Sequence, residues 1–232
     1  MQTDLHGQRI VITGITGGIA KASAQRLASQ GAHVIVSARS EEKLEQALAD
    51  ITGKVCGYVM DLKDESSIKT FFAKVGHFDH LVTPAASSMF SPVAEMDFTA
   101  ARELLETKQW GQMLCVHHAL PHLNKRGSIT LFSGTVTQKP LPGATMFAAV
   151  GAASEASGRI WAYELAPLRV NTVVPGVIET DIWASLYGSD ETAQEQLSGI
   201  AESLPVGQIG TADDIAKAVS FLIDNNFVNG IS

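Results

Sequence analysis

The chain has 232 residues, 45% hydrophobic and only 6% aromatic, with a net charge of −7, which allows one large domain with an aliphatic core and excludes nucleic acid and anionic membrane as expected partners. Its two cysteines, Cys56 and Cys115, lack ligand spacing, so buried thiols, no metal and a reducing, cytoplasmic setting are expected. No basic start with an apolar stretch marks a targeting signal, and no apolar run reaches the ~20 residues of a membrane span.

The first apolar run, 9–13, reads as a buried strand. It feeds Thr13-Gly14-Ile15-Thr16-Gly17-Gly18-Ile19-Ala20, and a helix follows over 18–30. A strand leading into a glycine turn that opens a helix presents free backbone N–H groups to a diphosphate. Gly14 permits the tight turn, Gly18 lets a phosphate approach the backbone, and Ala20 keeps helix and strand close. Thr16, Gly17 and Ile19 complete this cradle, so the chain is expected to bind a nucleotide cofactor.

Further strands are predicted at 32–37, 54–60, 78–83, 127–133 and 169–174. They alternate with helices at 40–50, 64–75, 96–124 (with a bend) and 143–166, and a last helix spans 211–224. Such alternation predicts parallel strands joined by right-handed crossovers: an α/β fold with a doubly wound parallel sheet, the Rossmann fold, as a single domain over 1–232. The segment 179–210 is polar and punctuated by Gly and Pro, with a short helical patch. It reads as a lid-like insertion beyond a strand end. Thr211 reads as the cap of the last helix, with Asp213 and Asp214 at its positive end.

These pieces resemble the short-chain dehydrogenase/reductase family over essentially the whole chain. The matching motifs are the Thr13–Ala20 loop, Asp61-Leu62 after the third strand, Arg169-Val170-Asn171 entering the sixth, then Pro175-Gly176 and Thr180. The resemblance implies that Asp61, with Leu62 beside it, contacts the adenine, although Asp61 could instead cap the helix starting near Asp64. It also implies that Thr180 and the backbone near Ile178 hold the nicotinamide amide. Pro175 and Gly176 pass under that ring, Ala85 follows the fourth strand near it, and Asn171 pins neighbouring strands. Where an NAD enzyme usually places a ribose-binding carboxylate, the second strand ends Ser37-Ala38-Arg39-Ser40. With no acid there, Arg39 can pair with a 2′-phosphate, and Ser37 and Ser40 can add donors. Lys21 is a further candidate for the phosphates. NADP(H) is therefore expected over NAD(H).

The family's acid/base residues are absent. Phe147 stands at the tyrosine position, Gly151 at the lysine, Gly134 at the serine and Lys108 at the asparagine. The turn after the fourth strand reads Thr83-Pro84-Ala85-Ala86 in place of the usual glycine turn. No catalytic residue of the usual type remains, and the substitutes in reach are Lys108, Ser133 (or Thr135) and Thr145. A desolvated Lys108 could donate a proton, whereas a solvated or phosphate-facing Lys108 could not. Tyr163 lies about 24 Å along the helix from Phe147 and cannot serve. His117 and His118 read as surface or interface residues.

Two functions stay open. One is an NADP(H)-dependent oxidoreductase with atypical acid/base chemistry, acting on a small carbonyl or alcohol in a pocket lined by Met89, Phe90, Phe147 and Trp183. The other is a non-catalytic NADP(H)-binding sensor, scaffold or inactive partner subunit. The resemblance further implies a homodimer through the helices near 100–120 and 145–165. With the sequence ending at Ser232, it implies a sheet without the usual last strand, and so a dimer before a tetramer.

Overall fold

The computed structural model describes residues 4–85, 87, 89–180, 183 and 189–232, apart from the side chain of Asp190. Residues 1–3, Ala86 and the 181–182 and 184–188 parts of the expected lid lie outside the described residues. Six parallel strands form one sheet: β1 (Arg9–Ile12), β2 (His33–Ala38), β3 (Val55–Val59), β4 (Phe78–Val82), β5 (Leu123–Phe132) and β6 (Arg169–Val173). Their order is β3-β2-β1-β4-β5-β6. The order reverses beside β1, and the crevice at the carboxyl ends of β1 and β4 is where such a sheet binds ligands.

Side-chain alternation along each strand divides the core into two layers. Ile10, Ile12, Val34 and Val36 face one layer, covered by α1 (Gly18–Ser29) and α2 (Glu41–Ala49). Val11, Ile35, Leu81 and Ile129 face the other, covered by α3 (Glu65–Val75) and by the helices described next. In that layer Phe71, Phe72 and Phe78 pack ring against ring at 5.2 and 5.9 Å.

The long helix expected at 96–124 is α4 (Phe98–Leu104), a π-helical segment over Leu105–Trp110, and α5 (Gly111–Ala119). Asp97 caps α4 by accepting from the Thr99 and Ala100 amides. Then come α6 (Thr145–Glu164), the two-residue β7 (Ile178–Glu179), α7 (Asp190–Ser203), the two-residue β8 (Gly210–Thr211) and α8 (Ala212–Asp224). The helical patch read in 179–210 is thus a 14-residue helix, capped by Ser189 and anchored by buried Ala193 and Leu197. β5 begins four residues earlier than expected. Leu123 pairs with Phe78 before the register shifts to His80 opposite Ser128.

The last helix is held at both ends. Thr211 and Asp214 form a reciprocal capping box, and Asp213 takes a bidentate ion pair from Arg26 at 2.7–3.0 Å. At the other end Arg169 donates to the carbonyls of Leu222 and Ile223 at 2.6 and 2.9 Å, the end of a helix that attracts cations. Asn171 donates to Val228 at 3.0 Å, while Gly230 and Thr172 exchange backbone bonds with Val170 and Ile231. The tail therefore runs alongside β6 without forming a seventh strand.

His80 is buried between β4 and β5. Its Nε2 donates to Gln8 Oε1 and its Nδ1 accepts from Ser128, both at 2.8 Å. Both bonds suit the neutral ring, and burial pushes its pKa down from 6.5 to about 4. Below the ordinary value the unfolded chain takes up a proton that the folded ring refuses. Stability should therefore be full above about pH 6.5 and fall as pH drops toward 4. Denaturant midpoints at pH 7 and pH 5 should show this drop, and His80→Asn should flatten it.

Candidate functional site

A cavity of about 690 Å³ opens at the carboxyl ends of β1, β2, β4, β5 and β6. Its floor is the glycine loop. Gly14 has φ +69°, and a Cβ there would lie 2.5 Å from that of Ala85, so only glycine fits. The Ser37 hydroxyl accepts from the Gly14 amide at 3.1 Å. Ser37 thus braces the loop while its own O–H still faces the cavity that it lines. No side chain caps α1 at Gly17, and Gly18, Ile19 and Ala20 line the cavity. The first-turn N–H groups and the positive end of the helix dipole are left for an anion. Thr180 packs over this start, with its Cγ2 3.2 Å from where a Gly18 Cβ would be.

At the β2 edge, Ala38 ends the strand, and Arg39 lies exposed on the cavity wall. Lys43, one turn into α2, joins it there and was missed from sequence. Its signal was its position three residues after a serine cap. Ser40 is that cap: its hydroxyl accepts from the Lys43 amide, and it does not line the cavity. Lys21 also faces elsewhere, paired with Asp50 at 2.7 Å. Asp61 lines the cavity and holds the Lys63 amide, while Asp64 caps α3. Thr16, Leu62, Ala85, Pro175, Gly176 and Ile178 all lie on the cavity wall, and a Cβ on Gly176 would meet open space.

Deeper in, Lys108 emerges from the π-helical segment. It is 7% exposed, lines the cavity, and its Nζ donates to the Ser133 carbonyl at 3.4 Å. Burial alone pushes its pKa down from 10.5 to about 8. The solvated alternative for this lysine does not hold. The Lys108 carbonyl accepts from the Gln112 amide nitrogen at 2.6 Å, and Gln112 Oε1 takes the Thr83 hydroxyl at 2.8 Å. This glutamine ties the π-turn to β4, and its only signal in the sequence was a lone amide in an apolar helix.

A second polar cluster lies under Gly151, next to the Ser133 that Lys108 touches. The Ser133 and Thr137 hydroxyls both donate to Glu155 Oε1, at 2.6 and 2.8 Å, beneath Gly151. A Cβ on Gly151 would lie 2.8 Å from Ser133 Oγ and 2.9 Å from Thr137 Cγ2. Ser133 has therefore given its proton to a carboxylate and cannot donate to a ligand as well. Thr145 is exposed at the start of α6 and off the cavity wall, and half-buried Met89 is also off that wall. Thr135 stays on that wall. Phe90, Phe147 and Trp183 form an aromatic side: Phe90 stands 5.0 Å from Phe147 and 6.3 Å from Trp183, centroid to centroid. Tyr163 is exposed, and His118 pairs with Glu65 at 3.0 Å, both away from the cavity. Among the described residues no group of three or more His, Cys, Asp or Glu could hold a metal, and no helix is long and apolar enough to cross a membrane.

Known proteins share this architecture. A family model described as enoyl-(acyl carrier protein) reductase matches residues 14–231. The 3-oxoacyl-(acyl-carrier-protein) reductase of Haemophilus influenzae is 31% identical over 240 residues, covering 97% of this chain and 95% of its own. Human dehydrogenase/reductase SDR family member 2, mitochondrial, is 30% identical over 236 residues, covering 95% and 82%. A solved small-chain dehydrogenase in complex with NADPH superposes with a TM-score of 0.83 at 31% identity, over 97% of this chain and 94% of that one. A variant of actinorhodin polyketide ketoreductase with NADPH gives 0.89 at 25% identity, also over 97% and 94%.

Proposed function

The chain belongs to the short-chain dehydrogenase/reductase family, and from that premise we propose that it binds NADP(H) and acts as an oxidoreductase whose proton donor is Lys108. The observation that carries this reading is the buried Lys108 ammonium on the wall of the nucleotide-shaped cavity.

The cavity suits the cofactor by its own chemistry. An uncapped helix start and the Gly14 turn fit a diphosphate, and Arg39 with Lys43 fits a 2′-phosphate where a carboxylate is missing. Solved relatives that carry NADPH support the choice. NADP(H), when bound, supplies or accepts a hydride. Asp61 and Leu62 would flank the adenine, and Thr180 with the Ile178 backbone would hold the amide. Lys108 would point its ammonium at the oxygen of a small carbonyl, stabilise the charge developing there and release a proton to it. Phe147 would serve as wall only. The 179–210 segment would cover the substrate side, which Trp183 supports by lining the cavity. Exposed Phe98, Trp110, Ile160 and Tyr163 on α4, the π-helical segment and α6 support a homodimer through those helices.

A second reading, binding without turnover, is favoured by one observation: neither Phe147 nor Gly151 carries an ionisable group. NADPH oxidation against quinones, diketones and aldehydes separates the two, because only the first gives steady turnover. The cofactor assignment has its own test. Arg39→Ala should weaken NADPH by roughly 1.5–3 kcal/mol, the scale of a charge-assisted hydrogen bond, and hardly move NADH. Fluorescence titration measures both, and equal losses would overturn the assignment.

A further inference from the structure

We propose that the pocket beside Lys108 takes a planar aromatic acceptor whose reduction leaves a phenolate-type oxygen, of which a quinone is the simplest. This rests on the oxidoreductase reading above.

Shape supplies the first observation. Phe90 is tilted only 35° from Phe147 and 31° from Trp183 and packs on both, so the three rings make one continuous aromatic wall of the cavity, against which a flat ring can stack. Charge supplies the second. Lys108 is buried, its nitrogen lies 5.8 Å from the Phe147 centroid, and its hydrogen-bond partner is a neutral carbonyl. Among the described residues no ion pair shifts its proton affinity, and burial is the cause of the shift. A buried ammonium without a counter-ion is a strong site for an oxyanion.

Chemistry joins the two. Hydride addition to a simple ketone leaves an alkoxide that holds its proton about as tightly as hydroxide, near pKa ~16. That reaction cannot finish without a full proton transfer, which Lys108 would have to supply without help from positions 147 and 151. A quinone instead becomes a phenol, with a pKa of ~10 like tyrosine. An ammonium can stabilise such an anion through a hydrogen bond alone. In the balanced step the quinone gains a hydride from the reduced nicotinamide cofactor, so one oxygen ends as O–H and the other as phenolate. The cofactor is oxidised and the quinone is reduced. The phenolate takes its proton from Lys108, and water reprotonates the amine.

The probe is 4-nitrophenol, whose anion absorbs in the visible, titrated against the full chain with and without saturating NADP⁺. Other charged groups near the site are Arg39, Lys43, Asp61 and the Lys63–Glu103 pair on the wall, with Glu155 behind Ser133. The bound phenol should ionise at least one pH unit lower than the free one, a tenfold preference for the anion. Lys108→Met should abolish that shift while its melting transition shows that it remains folded. A bound probe that titrates like the free one, or a shift that survives Lys108→Met, overturns the proposal. Aliphatic ketones reduced as fast as quinones would also overturn it while leaving the oxidoreductase reading intact. A Lys108-dependent shift with no NADPH oxidation by any acceptor would support the oxyanion site and overturn the oxidoreductase reading instead.

Discussion

Lys108→Met is expected to lower kcat/KM for NADPH oxidation by ~10²–10⁴, the worth of a positioned proton donor, while making the protein more stable. The two effects share one cause. In the unfolded chain this amine titrates near 10.5, and in the fold burial holds it at about 8. A lysine shifted downward favours the fold fully only above its unfolded value, and that contribution is lost as pH falls from there toward 8. At pH 7 the fold carries the whole cost of a buried ammonium, up to about 3 kcal/mol. Methionine keeps much of the length and removes the charge, so the melting temperature should rise as activity falls. Activity of the parent protein should also decline above about pH 8, as the ammonium loses its proton, whereas the residual rate of the variant should show no such limb. Unchanged turnover, or activity lost together with stability, would defeat the assignment of Lys108.

The second large effect concerns reversion. Introducing the acid/base pair that the sequence resemblance implies, as Phe147→Tyr with Gly151→Lys, should not give brisk ketone reduction, and it should cost about 2–4 kcal/mol of stability. The added Cβ at position 151 would lie 2.8 Å from Ser133 Oγ and 2.9 Å from Thr137 Cγ2. Both side chains are held by Glu155, so neither moves without breaking a buried hydrogen bond to a carboxylate. Glu155 also stands one turn beyond position 151, where it would capture the new ammonium before a tyrosine could use it. Denaturation midpoints and NADPH oxidation measure the two halves of this expectation. A double variant as stable as the parent and fast on ketones would show that the site had merely been emptied.

The sheet was legible because short β-rich apolar runs such as Arg9–Ile12 and His33–Ala38 recur between segments that carry a helical period. The glycine loop was legible for a stronger reason: positive φ at Gly14 and close approach at Gly18 leave almost no choice of residue. Local chemistry misled where a side chain had two uses. Ser40, read as a ligand for a phosphate, precedes a helix and caps it off the cavity wall, while Ser37 braces the loop amide and stays on that wall. The α7 helix carried a readable signature, a Ser189 cap with Ala193 and Leu197 four residues apart, which the polarity of the segment obscured. What sequence could not give was the cluster of Glu155, Ser133 and Thr137 under Gly151. It joins residues 18 and 22 positions apart, and no periodicity specifies that meeting. Lys43 and Gln112 were hidden likewise, since their roles depend on which way a whole helix faces.

The π-helical segment that carries Lys108 has a last consequence. Such a stretch is an α-helix with one residue too many, and each residue turns a helix by about 100°. Deleting one position between Leu105 and Trp110 would let the helix heal into regular α geometry with both flanks near their present places, so the turn falls on the residues inside the segment. With Asp97 fixing the start and the Gln112 amide gripping the far side, the ammonium would rotate off the cavity while the chain stayed helical. A single codon therefore separates this site from one with no buried cation at all.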